Sequence, residues 1–217
     1  MLQASQGHIR GGGLMAFAQF KTLAEVLSQF SITYSKESVS QASVNILPSD
    51  TLREQIAFAI DMDIYKTSEY ARCESLIFPI LQEVWKAHLK SLRLWSHVPI
   101  AAEEPLTGTP DYLIAQASPL GNIVLGKPIL AAVEAKRENF DEGWAQCTAE
   151  MLAIQHINQD SMRVWGVVTN GELWQFGALD GRLLRQEATF YTVRNLDELF
   201  GVLSFIMAEC ARQITVP

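Results

Sequence analysis

The chain has 217 residues, 48% apolar and 19% charged, and its 17 Lys+Arg against 24 Asp+Glu leave a net charge of −7. That composition can bury a sizeable core and excludes a disordered, collagen-like or low-complexity chain. The sign of the charge argues against a protein that coats nucleic acid by neutralising phosphates with lysine and arginine.

The length suits one domain over residues 16–217, preceded by a flexible tail over residues 1–15 that contains Gly11-Gly12-Gly13. Residues 20–30 read as a short amphipathic helix with Leu23, Val26, Leu27 and Phe30 on one side. Residues 31–48 form a Ser-rich loop or weak strand closed by Pro48, and Ser49-Asp50 caps a helix running to Ile60. The longest helical pattern is 67–89, where Tyr70, Cys73, Ile77, Leu81, Val84 and Trp85 recur at spacings of three and four. Pro79 kinks or divides it. The period then changes. Residues 92–100 (LRLWSHVPI), 110–117 (PDYLIAQA) and 128–136 (PILAAVEAK) read as strands, the last two joined by a turn-rich connection. A helix over 140–157 follows, with Trp144, Met151 and Ile154 inward. Strands over 163–169 and 172–178 are joined by Asn170-Gly171, a strong hairpin signal. Asp180-Gly181 turns into a further strand through Tyr191, and Asn195 or Asp197 caps a last helix to about Arg212. This order predicts a single α/β (α+β) domain around a mixed central sheet flanked by helices.

Cys73, Cys147 and Cys210 are too few and too scattered for a disulfide framework, which points to a reducing cytoplasm. His8, His88, His97 and His156 show no zinc spacing, and His97 and His156 read as structural. The longest apolar run, 199–208, is interrupted by Gly201 and Ser204 and falls short of the roughly 20 residues of a membrane span, so it reads as a buried helix. Gly121 to Lys127 imitates a phosphate-binding loop, GxxxxGK. The next residue is Pro128, which has no hydroxyl for magnesium, and a strand follows where a helix is needed.

The chemistry concentrates in Pro110-Asp111, heading one strand, and Glu134-Ala135-Lys136, ending the next. An antiparallel pairing brings the start of one strand beside the end of the other. Glu134 and Lys136, two apart, leave the same face. Two carboxylates and an ammonium then converge, with the Ala135 carbonyl as a further oxygen. Hard divalent cations take such ligands, and a bound cation activates water and offsets charge on a phosphoryl transition state. Asp111 would equally suit a turn cap after Gly108-Thr109-Pro110, and Lys136 a solvated strand end beside Arg137. An acid closing the apolar run Ile129 to Val133, however, is costly unless paired or solvated.

These residues resemble the PD-(D/E)XK superfamily of restriction-endonuclease-like nucleases. The resemblance covers about residues 67–178. It includes Glu74 on the helix before the sheet, Gln146 on the helix after the motif with Glu150 one turn on, and the stretch VTNGELWQF, 168–176, like the hairpin in the N-terminal nuclease domain of type I restriction-enzyme R subunits. It implies a restriction-endonuclease-like core. It also implies Mg2+ (or Mn2+) on Asp111, Glu134 and Ala135, a water-positioning Lys136, and support from Glu74 and Gln146. The implied reaction is hydrolysis of DNA, by a homodimer or within a larger restriction complex and away from membranes. The alternative is a catalytically silent binding module of that fold, serving a restriction or mobile-element complex. A weaker variant keeps the fold with RNA or a nucleotide as substrate.

The net charge supports a metal reading once it is divided along the chain. Residues 1–50 and 51–102 are each neutral, and 103–150 carry three basic against eight acidic residues. The excess acid therefore lies around Asp111 and Glu134, where a cation would reverse part of the field.

Overall fold

The computed structural model describes residues 17–40, 46–136, 139–159 and 162–214. The tail expected over residues 1–15 lies outside them.

A central mixed sheet of eight strands carries helices on both faces. The strands are β1 (Thr33–Lys36), β2 (Leu92–Ser96), β5 (Tyr112–Gln116), β6 (Ile129–Ala135), β7 (Val164–Thr169), β8 (Leu173–Asp180), β9 (Leu183–Gln186) and β10 (Tyr191–Thr192). Their order is β1-β9-β8-β7-β6-β5-β2, with β10 on β8, while β3 (Ile100–Ala101) and β4 (Thr107–Gly108) form a separate small ribbon. The pairs β6–β7 and β1–β9 are parallel and the other pairs antiparallel. Parallel strands need a crossover, and β6 reaches β7 through helix α5 (Phe140–Asn158).

Helices α2 (Asp50–Asp61), α4 (Phe78–Lys86) and α6 (Leu196–Gln213) pack on one face against Tyr112, Ile114, Val133, Ala135, Trp165 and Phe176. Helices α1 (Leu23–Gln29) and α5 cover the other, against Leu113, Ala132, Val164 and Val168. Helix α5 is buried all round from Gly143 to Ile154 because α1, the turn Phe17–Gln19 and β3 close over its outer side. Helix α6, which contains the longest apolar run, is a core helix. No helix among the described residues is long and apolar enough to cross a membrane.

Several expectations are met at residue level. Ser49 caps α2 by accepting from Leu52 N–H. The Asn170-Gly171 turn joins β7 to β8, with Gly171 at φ +85°, where Arg72 and Leu76 leave no room for a Cβ. Others are corrected. The pattern over 67–89 is not one helix. It runs as α3 (Glu69–Arg72), a π turn (Cys73–Ile77) and α4. Pro79 has no N–H for the Ser75 carbonyl and its ring crowds it, so the widened turn falls just before it. Tyr70, read as core-facing, is 72% exposed. The strand over 92–100 breaks after Ser96, where His97 takes the left-handed conformation at φ 52°, and the strand expected to run to Tyr191 splits into β9 and β10. Residues 121–123 form a short turn within the connection between β5 and β6, with Ile123 exposed.

Candidate active site

Strand pairing sets the site. Tyr112 opposes Val133 in the β5–β6 ladder, so Asp111, one residue before β5, lies beside the end of β6. A bulge in β6 leaves Leu130 without an opposite, since Ile114 pairs Ala131 and Ala115 pairs Ile129. Beyond it, alternation sends Ala131, Val133 and Ala135 to the α4–α6 layer and Ala132 to the α5 layer. Glu134 and Lys136 share the parity of Ala132 and meet helix α5 there. Asn139 caps α5 by accepting from Asp141 N–H and Glu142 N–H, which starts the helix directly after the motif. Gly143 lets it approach. A Cβ there would lie 2.6 Å from Val168 Cγ1 and 3.2 Å from Lys136 Cγ.

Asp111, Glu134, Lys136, Gln146, Glu150 and Glu69 line one cavity of about 240 Å³, closed by Phe17, Ala18, Gly108 and Thr109. Asp111 Oδ2 accepts from Ala135 N–H at 2.7 Å, and Asp111 Oδ1 lies 3.4 Å from His97 Nε2. Lys136 Nζ is 3.1 Å from Glu134 Oε1. Gln146 is buried and donates through Nε2 to Glu142 Oε1 at 3.3 Å. Glu150 is 1% exposed, its carboxyl bonds Glu134, and its Oε2 has no partner.

The electrostatics follow from burying Glu134 and Glu150, with Asp111 half-buried, beside one cation. Burial first, then Asp111, pushes Glu134 up to about 7, against the smaller opposing effect of Lys136. Burial and Glu134 hold Glu150 well above the ordinary carboxylate range. Glu150 therefore keeps its proton and donates it toward Glu134. Asp111 is raised by burial, which the Ala135 N–H, His97 and Lys136 partly offset. Burial alone would lower Lys136, but Glu134 and Asp111 outweigh it and raise the ammonium.

Of the residues singled out from the sequence, Asp111, Glu134, Lys136 and Gln146 come together, with Glu150 beside them. Ala135 contributes its N–H to Asp111, while its methyl packs in the opposite layer. Glu74 does not reach this cavity and lines an adjoining one with Tyr70, Cys73, Phe78, His97 and Tyr112. The acid that the preceding helix places here is Glu69. In sequence Glu69 follows the cap Ser68 and reads as an ordinary first-turn acid. His97, read as structural, contacts Asp111. Extending the β2–β5 register one step past Ser96–Tyr112 sets His97 opposite Asp111, a signal that needs the pairing and not the composition.

The donor set suits a hard cation: two facing carboxylates repel, and a partnerless buried carboxyl oxygen lies behind them. Among the described residues, no three His, Cys, Asp or Glu side chains form a ready-made metal cluster. No family model matches the chain, and no curated protein matches it either.

Proposed function

We propose that the protein is a metal-dependent nuclease of restriction or DNA-processing type, hydrolysing DNA phosphodiester bonds on a restriction-endonuclease-like core. The observation that carries this reading is the meeting of Asp111, Glu134 and Lys136 in one cavity, with Glu134 held at about 7 by burial and Asp111. Perturbed acids gathered with a cation in a cleft mark functional sites more often than structural ones. Asp111 and Glu134 would hold Mg2+ or Mn2+, which supplies Lewis acidity and positive charge against the phosphoryl oxygens. Lys136, kept protonated by its carboxylate neighbours, donates hydrogen bonds that orient the attacking water and offset charge on the phosphoryl group. Glu150 holds a proton against Glu134 and fixes its orientation, Gln146 adds a polar wall, and Glu69 extends the acidic rim.

A purified-protein assay on linear and circular DNA tests this. Cleavage should require Mg2+ or Mn2+, stop with chelator and vanish in Lys136→Ala. Equal cleavage by wild type and variant would overturn it.

A second reading, a catalytically silent module within a restriction or mobile-element complex, draws on a separate observation. Both Asp111 oxygens and Glu134 Oε1 already have internal partners. Calorimetry separates the two readings. Heat on adding millimolar Mg2+, lost in Asp111→Ala, supports the enzyme. No heat together with no DNA binding supports the module.

A further inference from the structure

The cavity adjoining the acidic site has a different character. It measures about 440 Å³ and is walled by aromatic rings, with Glu74 at its side. Phe78 and Tyr112 stack at 6.2 Å and 23°, and His97 meets Tyr112 edge-on at 5.9 Å. Tyr70 lines the same cavity and leaves most of its ring in solvent. The two cavities meet at His97. Its ring lines the aromatic one, its Nε2 faces Asp111 in the acidic one, and its backbone N–H donates to the Asp111 carbonyl at 2.9 Å.

We propose that this second cavity binds an unpaired nucleobase of the substrate strand, guanine in preference to thymine. The proposal rests on the phosphodiester reading above and names the substrate's state. The exposed ring of Tyr70 at the aromatic cavity can stack on the flat face of any base. Carboxylate oxygens accept hydrogen bonds, so Glu74 at the cavity side would select bases by their N–H donors. Guanine offers two adjacent donors, N1–H and the N2 amino group, which fork onto one carboxylate, whereas thymine offers one. A nucleotide carries base and phosphate on one sugar, so two abutting cavities, one aromatic and one built for phosphate chemistry, suit its two ends. A base paired in a duplex keeps these faces stacked and these donors engaged. The occupant is therefore single-stranded or extruded.

Free nucleosides test the base site without phosphate or metal. Saturation-transfer NMR on the full chain should show deoxyguanosine contacting protein through its base proton, with affinity roughly fivefold or more above thymidine. Tyr70→Ala, at an exposed position, should weaken deoxyguanosine roughly tenfold, as loss of one base stack does. Tyr70→Phe should restore it. Glu74→Gln should erase the preference for deoxyguanosine over thymidine while both still bind. Absence of nucleoside binding, or binding that Tyr70→Ala and Glu74→Gln leave unchanged, overturns the proposal. DNA cleavage is scored separately. Cleavage without nucleoside binding overturns this inference alone, whereas nucleoside binding without cleavage overturns the nuclease reading and leaves a base site without a substrate strand.

Discussion

Two regions of the molecule bury polar groups, and they do so in opposite ways. Around β8 and β9, Gln175 Oε1 accepts from Trp144 Nε1 and from Gln186 Nε2, and Gln175 Nε2 donates to the Glu187 carbonyl. Tyr34 hydroxyl donates to Gln186 Oε1, and Glu187 Oε1 accepts from the Ser40 and Val39 amides, leaving only Glu187 Oε2 without a partner. At the ends of β5 and β6, by contrast, Asp111, Glu134, Glu150 and Glu69 crowd around a single ammonium and open onto a cavity. Polar groups paired almost completely make a buried network that stabilises its surroundings. Carboxylates left in mutual repulsion do not, and a fold keeps such an arrangement where chemistry requires it. Trp144 and Gln146 lie two residues apart on α5, so one helix serves both regions.

That contrast can be broken experimentally, and the largest effect is expected at Asp111. Asp111→Ala should reduce Mg2+-dependent DNA cleavage at least roughly a hundredfold, the scale on which lost electrostatic stabilisation of a transition state acts, while the melting temperature falls little or rises. A large loss of folding instead would make the acidic region structural. On the other side, Gln175→Leu strands the indole N–H, an amide and a carbonyl. It should cost about 3 kcal/mol in denaturant unfolding with no specific effect on cleavage per folded molecule.

Glu134 sharpens the comparison through pH. Its carboxyl binds a proton more readily folded than unfolded, at about 7 against 4.5. That contribution to stability is complete below 4.5 and is lost as pH rises through about 7. Glu134→Gln should therefore flatten the wild-type decline across this window and gain about 2 kcal/mol at pH 8. Millimolar Mg2+ should recover part of the same gain in the wild type and none in the variant. Urea titrations at several pH values measure both. A variant that keeps the wild-type slope would place the repulsion elsewhere.

Gly143→Ala probes the approach of α5 to the motif. The added methyl must displace Val168 or Lys136, with an expected cost of about 1–2 kcal/mol. Cleavage should drop further than stability, because Lys136 is one of the displaced groups. The smallest change is expected at the Lys21–Glu142 ion pair on the rim, where the lysine is 60% exposed. Lys21→Ala should alter unfolding by less than about 0.5 kcal/mol.

Much of this was legible in the residues. Hydrophobic period separated helices from strands, Ser49 marked a helix start, and Asn170-Gly171 marked its hairpin, because these are local preferences acting within a few residues. Spacing alone aligned Asp111 with Glu134 and Lys136, since an antiparallel pair allows few registers that keep Leu113 and Ala132 inside. Composition also placed most of the excess acid, five of the seven net negative charges, in residues 103–150.

Other features were decided only by tertiary structure. The π turn before Pro79 puts Glu69 in the acidic cavity and Glu74 in the aromatic one, a choice that a regular period of 3.6 residues does not contain. His97 joins the site because β2 pairs with β5, and Glu150 keeps its proton because α1 and the turn Phe17–Gln19 seal α5 from water. The chain alone determined which chemical groups were present and which strand ends they occupied. Their protonation and their division between two cavities depend on burial and on distances between segments far apart in sequence, and those exist only once the layers have packed.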